Sequence, residues 1–526
     1  MNKAADIGKV SAKGSFNVLW GLVVSTVISA VGSIFIARLL GSELYGLYGI
    51  ALAAPSLITI FRDWGITSAI IRYSAQYRAE NRAAEIRSVI LTGLVFEVAM
   101  GLVLSVVTLL LSNYLAISVY NRPTIVPLIQ IASFSILASA LIGTATAVFT
   151  GTDRMELNSI VLICEATVKT ALMIALVLLG LGTTGAVTGF TVSAIIAGVV
   201  GILFIWIVYK GLPNPATLKL EMKAYFKEML RYGVPLSVSA IIAGFLTQYY
   251  GFILPIYETD NSVIGNLRIA QNFVVLIGFF ATPITTMLFP AFSKLNAQRD
   301  KETLKNVFQY SVKYASLLVV PVAYLVMALS GPAVSTLFGT TYQTAPLFLS
   351  LLTVTYLYTV VGNLSIGNLF SSQGQTKLIL ITAIVSTGIG FPVGSVLIMQ
   401  YGVVGLIIAT LTVGIPSLIL TLYWLKKYYD LTVDWISAAK ILISSSVTAG
   451  ITYFLVSQMA FSSSIQLVLG VLVFVLVLIP ALLFTRAFTR SDLNNLRIMV
   501  SELGPLGGIV VKILNLLEKI MSALKL

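Results

Sequence analysis

Residues 16–40 read FNVLWGLVVSTVISAVGSIFIARLL, and the turn GSE at residues 41–43 separates this apolar run from a second one that starts at Leu44. A helix that crosses a lipid bilayer needs about 20 consecutive apolar residues. The first run is longer than the core of a signal peptide, and another run of spanning length follows it at once. It therefore predicts a retained transmembrane helix.

The composition of the whole chain agrees with this reading of its start. Hydrophobic residues make up 58% of the 526 residues, charged residues make up only 10%, and the mean hydropathy is +0.97. Soluble domains carry about 25% charged residues, which cover their surfaces. Because this chain has too little charge for such a surface, lipid must surround most of it.

About fourteen apolar runs are long enough to cross the membrane. They are residues 16–40, 44–73, 88–111, 125–150, 158–181, 185–209, 232–256, 263–293, 307–330, 345–370, 377–399, 402–425, 436–459 and 464–485. The predicted fold class is therefore all-α, a polytopic membrane protein with about fourteen transmembrane helices. Pro55 and Pro283 fall inside two long runs, where they predict kinked or tilted helices.

Lysine and arginine cluster in alternate loops, as the positive-inside rule describes for loops that face the cytoplasm. The alternation predicts a multi-pass protein of the plasma membrane with both termini in the cytoplasm. Arg122 is the main exception, because it lies in a loop on the predicted outer side. The formal charge of +13 does not indicate nucleic-acid binding, since no segment is long and polar enough to form a basic soluble domain.

Two segments have the amphipathic pattern of helices that lie along lipid headgroups. In residues 217–230, apolar side chains recur at helical spacing opposite Lys219, Lys223 and Lys227. The tail after Arg486 repeats the pattern, most clearly in residues 509–524. We interpret both as connectors that rest on the membrane rather than as partner-binding sites.

The chain also contains an internal repeat with an offset of about 220 residues. The second apolar run ends in IRYSA at residues 71–75, and the eighth ends in PAFSK at residues 290–294. A pair of glycines that begins at Gly182 matches a pair that begins at Gly402. Six spans separate the copies, so both copies run in the same direction through the membrane. Parallel repeats are typical of transporters in which two lobes rock around a central site.

The spans and the repeat together predict the domain organisation, in which the last two helices and the tail fall outside the repeat. Five segments are predicted: an N-terminal six-helix lobe at residues 1–209, a cytoplasmic amphipathic linker at 210–231, a second six-helix lobe at 232–429, two extra helices at 430–485, and a cytoplasmic amphipathic tail at 486–526.

Three short segments carry a resemblance to a known family. The sequence ARLLGSELYGLY at residues 37–48 resembles the signature of polysaccharide-transporter flippases, and FRDWGITSAIIRY at residues 61–73 continues it. LFPAFS at residues 288–293 is similar to the matching segment of the second lobe. These flippases belong to the multidrug/oligosaccharidyl-lipid/polysaccharide exporter superfamily, together with lipid II flippases and multidrug-extrusion antiporters.

The resemblance implies a core of two six-helix lobes that works by alternating access, here with two extra helices. It also implies a substrate, a polyprenyl-(pyro)phosphate-linked oligosaccharide, that is flipped from the cytoplasmic to the outer leaflet for cell-surface polysaccharide or glycoprotein assembly. The implied partners are this lipid-linked glycan, membrane lipids and enzymes of glycan assembly. We expect the protein to act as a monomer.

Ionisable side chains inside the spans are the candidate site residues, since each costs about 2.5–3.5 kcal/mol at the bilayer centre on insertion scales. Arg62 and Arg268 are predicted to bind the substrate phosphate, because guanidinium binds phosphate in bidentate geometry. Lys169 and Arg38 complete the candidate cationic cavity. In the lipid II flippases that the chain resembles, cationic residues on the first, second and eighth helices line the cavity, and three of these candidates occupy those helices. Arg38 can instead anchor its helix at the interface by snorkelling.

Three carboxylates are candidates for binding a coupling ion, a proton or sodium: Glu97, Asp63 and Glu165. The chain has no histidine, so a histidine proton relay is excluded. Glu97 can instead pair with a cation on another helix, and Glu165 can form a structural pair with Lys169 one turn away. Both alternatives stay open at this point.

Polar side chains on the predicted helices can contact sugar hydroxyls, although most such groups join helix to helix in membrane proteins. They are Gln248, Tyr249, Gln271, Asn272, Tyr356, Asn363 and Asn368.

Two other functions compete with flipping. One is an ion-coupled multidrug or metabolite antiporter of the same superfamily, which a shared fold does not separate from a flippase. The basic residues inside the predicted membrane region favour an anionic substrate over cationic drugs. The other is a membrane enzyme, which the short outer loops disfavour. Glu258 and Asp260 form an acid-x-acid pair without further ligands, so we expect no catalytic site, metal or cofactor.

Overall fold

The computed structural model describes residues 3–212, 222–296 and 299–500, together with residues 514–515, 518–519 and 521–522. Every regular element in these ranges is a helix. The α-helices are α1 (Lys3–Thr59), α2 (Ile66–Ala79), α3 (Ala83–Asn113), α4 (Val126–Gly151), α5 (Met155–Leu176), α6 (Gly182–Gly211), α7 (Met222–Tyr257), α8 (Asn261–Ser293), α9 (Lys301–Ala328), α10 (Ser330–Phe338), α11 (Ala345–Thr353), α12 (Asn363–Ser372), α13 (Thr376–Thr412), α14 (Gly414–Tyr429), α15 (Trp435–Ser457), α16 (Ser463–Phe484) and α17 (Arg490–Val500). The predicted all-α fold is confirmed.

Nine of the described helices are long and apolar enough to cross a membrane, or ten when the bent pair α11 and α12 is taken as one span. Three of these stretches are 40, 57 and 54 residues long, about two to three times what one crossing needs. Each contains a glycine with a left-handed backbone: Gly41 at φ 71°, Gly182 at φ 51° and Gly402 at φ 54°. Glycine adopts this conformation without steric strain, so the chain can turn there between two crossings. The helices form a multi-pass membrane protein and are compatible with about fourteen crossings.

The second predicted span, residues 44–73, is not one continuous helix. Helix α1 ends at Thr59, α2 begins at Ile66, and Gly65 between them has φ 78°. The Asp63 carboxylate accepts hydrogen bonds from the backbone N–H and the hydroxyl of Thr67, so it satisfies donors in the first turn of α2. The predicted span therefore contains a helix break, at the left-handed glycine that starts α2 inside the apolar run.

The repeat is visible in the backbone as well as in the sequence. Gly182 has φ 51° and ψ −132°, and Gly402 has φ 54° and ψ −127°. Two further pairs of positive-φ residues recur at nearly the same offset, Asn121 with Gly339 and Asp153 with Gly374. Turns at corresponding positions of the two halves therefore have related local geometry.

Residue contacts divide the chain into two compact units. The first comprises Met1–Asn272, Phe338–Thr344 and Ala383–Val413, and the second comprises Phe273–Leu337, Ala345–Thr382 and Gly414–Leu526. In the first unit, α1 packs along α5, and α4 packs between α3 and α6. In the second, α9 packs against α15 and the 3-10 segment Val354–Val361. The two six-helix lobes at residues 1–209 and 232–429 stay a prediction.

The predicted interfacial segments are described only in part. Residues 213–221 of the linker lie outside the described residues, and the remainder from Met222 onward belongs to α7. Most of residues 509–524 also lies outside the described residues. The start of the tail forms α17, which places Asp492 against Lys313 of α9 with Nζ–Oδ distances of 2.8 and 2.6 Å.

Candidate substrate and ion sites

Arg62, Glu97 and Asp63 lie together in the first unit. Arg62 occupies the break between α1 and α2, and its Nη1 donates to Oε2 of Glu97 on α3. The Arg62 side chain is 10% exposed and the Glu97 side chain is fully buried. Asp63 interacts electrostatically with the same glutamate. Thus a predicted phosphate ligand and two predicted ion ligands form one charged cluster.

This cluster contains two polar atoms without a hydrogen-bond partner among the described residues, Nε of Arg62 and Oε1 of Glu97. A buried polar group without a partner is destabilising by about 1–3 kcal/mol, and by more when it is charged. The arrangement can therefore accommodate a further ligand at Oε1, such as a proton or a small cation.

Helix α7 packs against the break between α1 and α2. The Ser237 hydroxyl donates to the backbone carbonyl of Asp63 at 2.6 Å. Gly65 and Gly233 approach so closely that a Cβ on either residue would overlap the other's backbone. The two glycines bring α7 next to the charged cluster.

Arg268 is half-buried on α8 and lies against the part of α1 that follows the turn at Gly41. Its Nη2 donates to the carbonyl of Gly49 at 2.9 Å, and its guanidinium carbon is 5.9 Å from the centre of the Tyr48 ring. In the described part of the chain this is the one hydrogen bond of the Arg268 side chain, which has five N–H donors. Most of those donors remain available to an anionic ligand.

Polar and aromatic side chains surround Arg268. The Asn272 side chain donates to the Tyr45 hydroxyl at 2.8 Å, and the Tyr45 ring packs edge-on against Tyr342 at 6.4 Å. Gln271 and Asn272 are exposed although they lie inside a membrane-length helix. Exposed amides at that depth are typical of a surface that faces water or a polar ligand rather than lipid. Arg268 thus belongs to a polar cluster. Tyr45, which is part of this cluster, is not among the candidates named from the sequence.

The first turns of α8 cross the part of α1 that follows Gly41 at very short distance. A Cβ on Gly46 would overlap the Asn261 carbonyl, and a Cβ on Gly265 would overlap the Ser42 carbonyl. The Ser262 hydroxyl donates to the Ser42 hydroxyl at 2.7 Å, across 220 residues of sequence. These residues occupy equivalent positions in the repeat, so the crossing joins matching parts of the two copies.

Lys169 and Glu165 are both half-buried on α5 and interact electrostatically one turn apart. No ion pair within 4.0 Å joins them in the described structure. The neighbouring Thr170 hydroxyl donates to the carbonyl of Ile28 at 3.3 Å, which places this part of α5 against α1. In the part of the chain that the structure describes, no hydrogen bond or ion pair joins Lys169 to the Arg62 or Arg268 cluster.

Arg38 is exposed and precedes the turn at Gly41. Among the other polar candidates, Tyr249 is hydrogen-bonded to Ser395 at 2.8 Å, and the Tyr356 hydroxyl donates to the Val274 carbonyl at 3.2 Å. The Asn368 side chain donates to its own helix at Leu364. The Tyr249 and Tyr356 bonds join different helical segments, the alternative role for such polar groups, whereas the Asn368 bond stays within α12.

An ion pair and a single arginine have roles that are not predicted from the sequence. Lys313 and Asp492 form a buried ion pair, with side chains 15% and 2% exposed. Arg122, the exception to the positive-inside pattern, makes five hydrogen bonds across the first unit. No local pattern marks either partner set, because the partners lie far away in the sequence. In the described residues, no group of three or more histidine, cysteine, aspartate or glutamate side chains could hold a metal ion.

Residues 11–296, more than half of the chain, match the family model described as polysaccharide biosynthesis protein, and residues 252–396 match the MatE model. The chain is 21% identical over 261 residues to the probable low-salt glycan biosynthesis flippase Agl15 of Haloferax volcanii, covering 49% of this chain and 55% of that protein. It is 25% identical over 416 residues to the lipopolysaccharide biosynthesis protein WzxC of Escherichia coli K12, covering 78% of this chain and 80% of that protein. It thus spans about half of the first relative and most of the second.

Solved structures show the same fold at low sequence identity. The lipid II flippase MurJ in an inward closed conformation superposes with a TM-score of 0.71 at 18% identity, covering 89% of this chain and 98% of that chain. An inward-facing multidrug resistance transporter of the MATE family superposes with a TM-score of 0.63 at 16% identity, covering 77% and 94%. These likenesses confirm the predicted exporter-superfamily fold, and the family match confirms the polysaccharide-transporter branch. The chain belongs to the polysaccharide biosynthesis protein family of membrane proteins.

Proposed function

We propose that this protein flips a polyprenyl-(pyro)phosphate-linked oligosaccharide from the cytoplasmic to the outer leaflet by alternating access. The observation that carries the proposal is Arg268, a half-buried arginine inside a membrane-length helix with one described hydrogen bond. Family membership and relatives named as glycan flippases support the same substrate class.

The chemistry of the Arg268 cluster suits such a head group. A phosphate loses its hydration when it enters the membrane region, and a guanidinium replaces that hydration with charge-assisted hydrogen bonds. Tyr45, Gln271 and Asn272 add hydroxyl and amide groups that can contact sugar hydroxyls. The prenyl chain needs no polar partner and remains in lipid throughout the cycle.

The remaining candidates take separate roles in this proposal. Glu97, with an unpartnered buried oxygen, binds the coupling ion together with Asp63, while Arg62 balances their charge. Lys169 and Arg38 form secondary cationic contacts for the head group as it moves, and Glu165 moderates the charge of Lys169. We expect their removal to affect transport less than the removal of Arg268.

A second function, ion-coupled export of a drug or metabolite, has one specific observation in its favour. Residues 252–396 match the MatE family model, and MATE transporters share the fold. Such a pump for cationic drugs needs an uncompensated acidic site. Glu97 is instead paired with Arg62, and Arg268 has donors available to an anion. We therefore place this function second.

The flippase proposal also specifies the cellular setting. The protein acts as a monomer in the plasma membrane with both termini in the cytoplasm, and it carries out no chemical reaction. It receives its substrate from glycan-assembly enzymes on the cytoplasmic side. The basic cytoplasmic loops of the positive-inside pattern support this orientation.

The test is a flipping assay in liposomes with a fluorescent polyprenyl-pyrophosphate oligosaccharide, run with and without proton and sodium gradients. We expect wild-type protein to expose the label to the opposite leaflet. Arg268→Gln should slow flipping about 10- to 100-fold, the loss expected for one charge-assisted hydrogen-bonding group. Arg268→Lys, which keeps the charge but not the bidentate geometry, should be intermediate.

Arg154→Gln serves as the matched control, because Arg154 is an exposed arginine whose only described ion pair, with Glu156, is 3.6 Å long. It should leave flipping unchanged. Wild-type protein that extrudes cationic dyes but does not move the glycolipid would reject the flippase in favour of the antiporter.

A further inference from the structure

Arg122 uses its whole guanidinium to hold the connection between α7 and α8. Its Nε donates to Oδ1 of Asn261 at 2.8 Å, and Nη2 donates to the carbonyls of Glu258 at 2.7 Å and Thr259 at 3.1 Å. Its Nη1 donates to the carbonyls of Pro255 at 2.6 Å and Tyr120 at 3.0 Å. All five N–H donors of an arginine are thus occupied.

The partners of Arg122 are neutral oxygens, and the Pro255 carbonyl lies in the last turn of a helix. Helix α7 ends at Tyr257, so the Pro255 carbonyl belongs to its last turn and has no partner within the helix. A cation at that end also interacts favourably with the helix dipole. Arg122 therefore caps α7 from another part of the chain, the connection between α3 and α4.

Helix α1 also contacts the α7–α8 connection and the first residues of α8. Ser262 is bonded to Ser42, and Gly46 lies against the carbonyl of Asn261. Residues 255–262 therefore contact both Arg122 and the part of α1 that follows Gly41. Both contacts join the first copy of the repeat to the second at the end of the helices that is predicted to face outward.

The two contacts differ in kind. The α1 contact consists of small side chains and backbone, which can separate without exposing a charge. The Arg122 contact partly buries a guanidinium, and this burial lowers its pKa while the charge of Glu258 opposes the shift. Arginine nevertheless keeps its charge at any physiological pH, so the contact persists until the guanidinium is rehydrated. Its geometry depends on five bonds at once.

We infer that Arg122 is the latch of the outer gate, a side chain that holds the α7–α8 connection against the first half and must release before the substrate can leave outward. The inference rests on the proposed alternating-access function. This role also accounts for a basic residue on the predicted outer side, against the positive-inside pattern. The guanidinium donates its hydrogen bonds to carbonyl groups of the protein.

The experiment measures the closed gate directly by disulfide formation. Ser42→Cys and Ser262→Cys are introduced into full-length protein with Cys164→Ala, since the two hydroxyls are 2.7 Å apart and Cys164 is the one cysteine of the chain. Cross-linking by a mild oxidant is followed over time in proteoliposomes without substrate. We expect fast cross-linking with Arg122, and a rate about tenfold lower with Arg122→Gln, because the loss of several hydrogen bonds populates the open gate.

Two further variants keep the result interpretable. Arg122→Lys retains the charge but not the five-donor geometry, so it should cross-link at an intermediate rate, and it provides the comparison if Arg122→Gln does not fold. Arg78→Gln is the matched control, because Arg78 also donates to a backbone carbonyl, that of Thr152, but on the predicted inner side. It should leave the rate unchanged.

Equal cross-linking rates in folded wild-type and Arg122 variants would show that Arg122 is a static brace and would overturn the latch. This readout needs no substrate. A protein that shows the latch behaviour but does not flip the glycolipid would reject the proposed substrate instead.

Discussion

Arg268 and Gly49 lie 219 residues apart in the sequence, and Nη2 of the arginine donates to the carbonyl of the glycine at 2.9 Å. This separation is the offset of the internal repeat, so the bond joins equivalent positions of the two copies. A Cβ at position 49 would overlap the guanidinium of Arg268. The absence of a side chain at Gly49 therefore determines where Arg268 can lie.

Gly49→Ala should impair transport by displacing Arg268 without changing its charge. We expect the rate of glycolipid flipping to fall about tenfold, roughly the effect of losing one hydrogen bond to a charged group. Gly244→Ala on α7 is the control, because the space around that Cβ is open. An unchanged flipping rate in folded Gly49→Ala protein would mean that the position of Arg268 is not important for transport.

Removing one member of the Arg62–Glu97 pair should destabilise the protein strongly. Glu97→Gln or Arg62→Gln leaves an uncompensated charge in a buried site, which typically costs about 3–5 kcal/mol. Thermal unfolding in detergent should show a large decrease for either single variant and a smaller one for the double variant Arg62→Gln/Glu97→Gln.

The exposed Arg154–Glu156 pair provides the comparison for that experiment. Its side chains are 63% and 47% exposed, so Glu156→Gln should change the free energy of unfolding by about 1 kcal/mol or less. If single and double variants of the buried pair lost the same stability, the two residues would not be energetically coupled.

Asp492→Asn should release α17 from the second unit. Asp492 is bound by Lys313 and also accepts hydrogen bonds from the backbone N–H and the hydroxyl of Thr489. Loss of its charge leaves Lys313 mostly buried without its partner, so amide hydrogen exchange in Arg490–Val500 should accelerate about 100-fold or more.

The pair Lys426 and Asp430 is the matched control for the release of α17. Its side chains are 61% and 83% exposed, and Asp430→Asn should not change exchange in α17. Unaltered exchange in Asp492→Asn would show that apolar contacts alone hold this helix.

The stability that Asp434 contributes should depend on pH. Asp434 caps α15, and burial raises the pKa of its carboxyl, but hydrogen bonds from the hydroxyl and backbone N–H of Ser437 oppose burial and leave the pKa below its usual value. A lowered carboxyl pKa means that the stabilisation is present at neutral pH and is lost as the pH falls through the folded-state value. Asp434→Ala should therefore cost about 1 kcal/mol at pH 7 and less in acid.

Thermal unfolding of wild type and Asp434→Ala at a series of pH values between 7 and 3 measures this difference. Ser437→Ala, which removes the 2.6 Å hydroxyl bond to Asp434, should give a smaller loss with the same pH trend. A loss of stability that grows as the pH falls would contradict the capping role.

The sequence by itself determined the all-helical membrane architecture and the family. Membrane insertion depends on the length and composition of local segments, and these are readable in runs such as residues 16–40. The repeat was also readable, because both copies keep their turn glycines, including Gly182 and Gly402. The family signature at residues 37–48 is likewise contiguous.

Only the tertiary structure decided which charged groups meet. Arg62 and Glu97 were identified as separate candidates with different roles, and packing of α3 beside the helix break makes them one ion pair. Arg122 was recognised only as an exception to the loop pattern, yet four of its five partners lie more than 130 residues away. The physical reason is that a helix forms from interactions within a few residues. An ion pair, or a set of hydrogen bonds from one arginine to distant carbonyls, forms only when distant helices pack. Spacing along the chain does not encode that packing.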